Sequence, residues 1–236
     1  MIREGADILD VGGYSSRPGA ADVPLEEEKI RVIKAIRLII KEFPDVLVSI
    51  DTFRSEIAME AVLECGAAMI NDISGGEADG KMFDTVARLG VPYVLMHMQG
   101  TPATMQLNPS YIDVVADIIK WLGERVYALQ SKGVRDIIVD PGFGFGKTIN
   151  HNFDILRRLC DFKVLQLPLL AGLSRKSMIW KTLGLTPDEA LNGTTALNAI
   201  ALLNGADILR VHDVAEAVQT VKLVSRLKEI NEPKST

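Results

Sequence analysis

Seven short apolar runs, each ending abruptly in polar residues and nearly all followed by a longer helical stretch, constrain this chain more than any other feature. ADILDVGG (6–13) closes on Asp10 and glycines, VLVSIDT (46–52) on Asp51, and MINDISGG (69–76) on Asn71 and Asp72. YVLMHM (93–98) closes on Met96 and His97, and DIIVDPGFGFGK (136–147) contains Asp140. LLAGLSRKS (169–177) ends in Ser174 to Ser177, and DILRVHD (207–213) in Arg210 to Asp213. Short apolar runs without in/out alternation read as parallel strands buried on both faces. Strand-then-helix repeats of this kind imply an α/β fold, a TIM (β/α)8-type barrel with the active site at the carboxyl ends of its strands. The length of 236 residues suits a single domain spanning 1–236.

The intervening stretches 25–42, 54–64, 79–89, 109–132, 151–160, 187–204 and 214–230 read as helices. In the first, Ile30, Val32, Ile33, Ile36, Ile39 and Ile40 form a broad apolar face, and glutamates crowd the amino-terminal turn, where the helix dipole favours them. Pro24 or a neighbour starts that helix, and Pro44 stops it. Four junctions look alike: Gly5-Ala6-Asp7, Gly66-Ala67-Ala68, Gly133-Val134-Arg135 and Gly205-Ala206-Asp207. They are expected to be αβ turns on the barrel floor, with glycine just past each helix. Because the chain opens on such a junction, one strand and one helix of an eight-fold barrel are expected to precede Met1.

Composition excludes several classes. A net charge of −5 leaves no basic nucleic-acid footprint. No stretch reaches the length of a membrane span, and MIREGAD lacks a signal-peptide core, so a cytoplasmic location is expected. Cys65 and Cys160 have no metal-ligand spacing and are expected to be buried, reduced thiols.

The strand ends carry the chemistry. Asp51, Asn71, Asp140, Lys176 and Arg210, with Met96 and Phe145 among them, converge on one mouth if consecutive strands are neighbours. Carboxylates and an amide can bond the edge of a flat nitrogenous ring, and cations can hold a phosphate or pyrophosphate. Asp10 reads equally as a member of this cluster and as a cap for the following loop. Asp72 is expected to face away from Asn71 and make a structural hydrogen bond. His97 is expected to pack rather than catalyse, whereas His212 can face the same side as Arg210 and hold an anion. In PGFGFGKT (141–148), Pro141 stands where a P-loop needs glycine, and G-x-G-x-G is not the dinucleotide spacing. Its glycines instead let the backbone bend over a ligand, with Phe143 or Phe145 as an aromatic wall. GGYSSRPGA (12–20) reads as a loop at the top of the barrel, with Arg17 contacting phosphate.

Taken together, GADILDVGGYSSRPGA, SIDTFRSE, NDISGG, LMHMQGTPATMQ, DPGFGFGKT, GLSRKS and RVHDV resemble the dihydropteroate synthase family over nearly the whole chain. The resemblance implies a TIM barrel that joins 6-hydroxymethyl-7,8-dihydropterin pyrophosphate to 4-aminobenzoate, releasing pyrophosphate. It implies pterin contacts from Asp51, Asn71, Met96, Asp140, Phe145, Gly172, Lys176 and Arg210. Pyrophosphate falls to Arg17, Arg210 and His212, and 4-aminobenzoate to Ser16, Pro18, Phe145 and Ser177. Asp51, Asp140, Lys176 and Arg17 would carry the catalysis. The resemblance also implies Mg²⁺ as cofactor and a homodimer, while charge and hydropathy leave no nucleic-acid or membrane partner expected. Tyr14 stands where many members carry Glu, and Ser15-Ser16 replaces the commoner Ser-Thr. The family's first strand and loop, whose Asn binds Mg²⁺ and pyrophosphate, have no counterpart in this sequence. Three alternatives remain: a pterin binder without turnover, a methyltetrahydrofolate-type methyltransferase barrel, and a Schiff-base enzyme built on Lys176.

Overall fold

The computed structural model describes residues 1–15 and 22–231. Strands β1 (Ile8–Gly12), β2 (Leu47–Asp51), β3 (Met69–Asp72), β4 (Tyr93–Met96) and β5 (Ile137–Asp140) form a parallel sheet in chain order. Strands β6 (Leu170–Ala171) and β7 (Ile208–Leu209) pair in parallel, and a Val139–Leu169 bridge joins them to β5. Every expected strand is present, in the expected order. Outside lie helices α1 (Leu25–Glu42), α2 (Ser55–Cys65), α3 (Met82–Leu89), α4 (Val114–Ser131), α5 (Ile149–Arg157), α6 (Ser177–Leu183), α7 (Leu191–Leu203) and α8 (Val214–Asn231). The sheet curls far enough that Arg210, just past β7, bonds Asp10 of β1. This is the TIM-type β/α barrel. Among the described residues, β1 and β7 each pair on one side only.

Strand alternation explains the core. Ile50, Ile70, Tyr93, Leu95, Ile137 and Val139 face the helices and join one large apolar cluster with Ile36, Ile57, Ile118 and Leu122. The alternate positions Val94, Ile138 and Leu170, with Met69 and Ile208, form a separate cluster inside the barrel. Each large side chain fully buried in this way contributes roughly 1.5–3 kcal/mol. Two residues further along each strand, the same inward parity reaches the mouth: Asn71, Met96, Asp140, Gly172 and Arg210.

All four glycine junctions sit just past or beside a helix end in the left-handed region, with φ +99 at Gly5, +79 at Gly66, +88 at Gly133 and +104 at Gly205. Several expected boundaries need correction. The helix expected over 109–132 begins at Val114, because the Asp113 carboxylate caps it by accepting from the Val115 and Ala116 backbone N–H groups. The stretch 187–204 divides into a 3-10 turn, Pro187–Glu189, and α7. The stretch 151–160 ends its α-helix at Arg157 and continues as a 3-10 segment, Leu159–Leu165. In α1 only Val32, Ile33 and Ile36 are buried among the isoleucines and valines, while Ile30 is 67% exposed, so the apolar face is narrower than expected. Cys160 is exposed, unlike Cys65, because Leu159 and Phe162 take the inward positions of its 3-10 segment.

Candidate active site

The mouth is assembled from neighbouring strands in register. Asp51 of β2 pairs with Asn71 of β3, and Met96 of β4 with Asp140 of β5. On β1 the partner of Asp51 is Gly12, where a Cβ would stand 3.2 Å from that of Asp51. Lys176 precedes the first turn of α6, and Arg210 follows β7.

One ion-pair network crosses this mouth. Arg210 donates from Nε to Asp10 Oδ2 at 2.6 Å and from Nη2 to Asp51 Oδ2 at 2.8 Å. Asn71 Nδ2 donates to the same Asp10 oxygen at 2.9 Å. Burial pushes the Asp51 carboxyl up to about 7, with the Asp10 charge adding and Arg210 opposing. For Arg210 burial acts to lower the pKa, but the Asp10 and Asp51 carboxylates outweigh it and the net shift is upward. Asp140 is buried and is raised by that burial, against the Gly142 N–H that it accepts at 2.7 Å and the charges of Lys176 and Lys147. Burial lowers Lys176 to about 8, Asp140 opposing and Arg210 adding.

The loop after β5 is pinned from several sides. Gly142 has φ +70, and a Cβ there would overlap the His97 carbonyl oxygen, so only glycine fits. Lys147 is buried within the loop and donates to the Phe145 carbonyl at 2.8 Å and to the His97 carbonyl at 3.3 Å, with His97 Nδ1 at 3.0 Å. Gln106 Nε2 donates to the Gly144 carbonyl at 2.6 Å, and the Tyr111 hydroxyl to that of Gly146 at 2.7 Å. The two phenylalanines then part: Phe143 is buried in the main core, while the Phe145 ring lies 4.2 Å from Lys176 Nζ. Phe145 packs with Met96, Met98, Met105, Ile73 and Phe53 into a small apolar cluster beside the polar network.

The remaining expected residues find definite places. Asp72 faces outward, accepting from Ser74 N and Oγ, Gly76 N and the Tyr93 hydroxyl, a structural role as expected. His97 is packed against Trp121, ring centroids 4.9 Å apart, and burial foremost, then Lys147, drives its pKa far down. His212 Nδ1 lies 3.0 Å from Ser174 Oγ, two residues past Arg210. Gly172 offers a Cβ-free position 3.9 Å from Arg210 Cβ, and Ser177 opens α6, half-buried. Tyr14 donates to Asp22 and meets Phe53 edge-on at 5.0 Å. Ser16, Arg17 and Pro18 lie outside the described residues. Lys147 and Gln106 were not singled out from the sequence, since a lysine after a failed P-loop carries no signal of its own.

Among the described residues no three His, Cys, Asp or Glu side chains gather as a cation site. Two carboxylates of the mouth, Asp10 and Asp51, are both engaged by Arg210. Mg²⁺ is usually held by one or two carboxylates completed by waters and substrate phosphates, a role that Asp10 and Asp51 could take only by giving up Arg210. An open groove of about 400 Å³ between α1 and α2, lined by Glu26, Lys29, Ile30, Lys34 and Glu60, lies away from the strand ends.

Fold and site together define a class: a β/α barrel whose strand ends set carboxylates, an amide and cations beside an apolar wall. Comparison with known proteins narrows it. The pterin binding enzyme family matches residues 1–212. The dihydropteroate synthase of Escherichia coli (strain K12) is 44% identical over 226 residues, 95% of this chain and 79% of that protein. The Yersinia pestis dihydropteroate synthase, solved with a sulfonamide drug, superimposes with a TM-score of 0.92 at 38% identity, over 97% of this chain and 82% of that one. The Thermus thermophilus enzyme, solved with 4-aminobenzoate, gives 0.88 at 40% identity, over 96% and 86%. This chain belongs to the pterin-binding enzyme family, among its dihydropteroate synthases. It is accordingly a transferase of folate biosynthesis.

Proposed function

We propose that this chain condenses 6-hydroxymethyl-7,8-dihydropterin pyrophosphate with 4-aminobenzoate, giving 7,8-dihydropteroate and pyrophosphate. The observation that carries the reading is the shared mouth of Asp51, Asn71 and Asp140 with Lys176 and Arg210. Asp140 accepts paired N–H bonds from the amino-pyrimidinone edge of the pterin, Asn71 and Asp51 bond further along that ring, and Lys176 donates to its acceptor atoms. Met96, Phe145 and Gly172 shape the pocket walls. Arg210 and His212, with Arg17 from the loop outside the described residues, take the pyrophosphate. Ser16, Pro18, Phe145 and Ser177 receive 4-aminobenzoate.

The C–O bond to pyrophosphate breaks first, with its electrons leaving on the phosphate oxygen toward Arg210 and His212. The resulting cation is shared between the methylene carbon and the pterin ring, where the fixed charges of Asp51 and Asp140 stabilise it. The neutral aniline nitrogen then forms the new C–N bond and loses a proton to solvent, so no strong general base is needed.

A homodimer belongs to the same reading, supported by exposed Leu203 on α7 and Leu223 on the adjoining α8. A cytoplasmic location is supported by the fact that no described helix is long and apolar enough to cross a membrane. Pyrophosphate release from the pterin diphosphate, measured with and without 4-aminobenzoate, tests the reaction. Release that depends on 4-aminobenzoate is expected; tight pterin binding without release would instead describe a binding protein.

A further inference from the structure

Asp10 touches no substrate in the proposed function, yet a group that reads the pterin, Asn71, and one that takes the pyrophosphate, Arg210, meet on it. Its Oδ2 accepts both Asn71 Nδ2 at 2.9 Å and Arg210 Nε at 2.6 Å. These donors come from β3 and from the far end of the chain, and β2 stands between β1 and β3. The Asp10 side chain is only 18% exposed, and its Oδ1 is buried with no hydrogen-bond partner among the described residues. A carboxylate held this way is costly and is kept by what it orients.

The orientation follows from donor and acceptor chemistry. The Arg210 guanidinium on Oδ2 keeps that oxygen an acceptor, so the Asn71 atom facing it must be the amide nitrogen. Turning the amide over would set its carbonyl oxygen against a carboxylate oxygen. The Asn71 carbonyl is therefore committed to the other side, and no described side chain or backbone group donates to it. Asn71 lies between Asp51 and Asp140 in strand order, with Met96 of β4 on the Asp140 side, so in the proposed pose its carbonyl faces the ring edge between the atoms that the two carboxylates take. If Asp140 accepts the ring N–H and one amino hydrogen, the partner left for Asn71 is the second amino hydrogen. The same carboxylate holds Arg210 by Nε, which remains anchored when a ring N–H displaces Nη2 from Asp51.

Resting on the proposed function, we infer that Asp10 is a positioning residue. It fixes which end of the Asn71 amide faces the substrate, and so makes the site select a ring that donates an amino N–H there. The test compares two ligands, 6-hydroxymethylpterin and its 2-oxo counterpart, in which a carbonyl replaces the amino group. Binding is titrated by calorimetry on the whole chain, for the wild type, Asp10→Asn and Asp10→Ser, with thermal unfolding to establish that each variant is folded. The wild type is expected to prefer the amino ligand, and either variant to shrink that preference roughly tenfold by letting Asn71 turn over. In an Asn71→Ala background, Asp10→Asn should leave the ratio unchanged, a coupling that a merely structural role would not produce. A wild type that binds neither ligand overturns the proposed function itself. A wild type that prefers the amino ligand, with the ratio unchanged in a folded variant, overturns only the role of Asp10. So does a crystal structure of the wild type with Asp10 and Asn71 beyond hydrogen-bond distance, whatever the variants do.

Discussion

Asp51 and Lys176 are displaced from their ordinary ionisation in opposite directions, and the displacement narrows the pH range in which both can work. Asp51, raised to about 7 chiefly by burial, accepts N–H bonds through both oxygens and with its full charge only when deprotonated. Lys176, lowered to about 8 chiefly by burial, donates as a cation only when protonated. Pterin affinity is therefore expected to fall as pH drops through about 7 and again as it rises through about 8. Removing the Asp10 charge should extend the acid side downward, because that charge helps to raise Asp51. Ligand titrations across pH check this, and a flat profile from pH ~5 to ~10 would contradict it. The stability linkage has its own sign: burial favours protonated Asp51, so its contribution to folding is lost as pH rises through about 7. At this scale the strand-end residues were legible because inward parity brings alternate residues to one mouth, and polar residues at that parity stand out against apolar runs. Lys147 was not legible. Its role depends on two carbonyls, of Phe145 and His97, that only the folded loop brings within reach. Asp10 was half-legible, since nothing in the sequence says that Asn71 and Arg210 meet on it.

Among the elements, α1 is tied to the barrel by a buried charge. Glu28 is fully buried, accepts from Thr52 Oγ1 at 2.7 Å and lies 2.9 Å from Arg54 Nη1. Thr52 and Arg54 directly follow β2, so this contact sets the strand end that carries Asp51. Glu28→Ala would leave a guanidinium with 18% exposure lacking its counter-charge. That is expected to cost about 3 kcal/mol, lowering the thermal midpoint by roughly 6–12 °C. A change below about 2 °C in calorimetry would show that the pair does not tie α1 down. Helix and strand identities were readable from period and punctuation, and so were the starts of α1 and α8, but the starts of α3, α4, α5 and α7 were not. Val114 begins α4 because Asp113 happens to cap it, and a helix-compatible stretch before the cap looks the same in sequence. The short α6 was not legible, because seven residues directly after a strand-end loop give little periodicity.

For the whole molecule, the unequal burial of strands sets a gradient of stability. β2 to β5 have partners on both sides, whereas β1 and β7 are each paired on one side among the described residues. Their burial agrees: β4 and β5 are buried throughout, β1 and β7 only partly. Strands with less burial open locally more readily than fully buried ones. Backbone amides of Ile8–Gly12 and Ile208–Leu209 should thus exchange with solvent faster than those of β3 and β4. Hydrogen exchange read by mass spectrometry checks this, and equal protection across all seven strands would contradict it. Strand order and the location of the mouth were legible from the repeat alone, because parallel β/α units leave few topologies.

The reading turns on whether one flat ring touches groups drawn from β2, β3, β5, α6 and the end of β7 at once. A crystal structure of this chain soaked with 6-hydroxymethylpterin pyrophosphate measures that directly. The expected density places the ring edge against Asp51, Asn71 and Asp140, with Lys176 beside it and the diphosphate at Arg210. Well-ordered ligand bound elsewhere, with those five side chains unengaged, would contradict it.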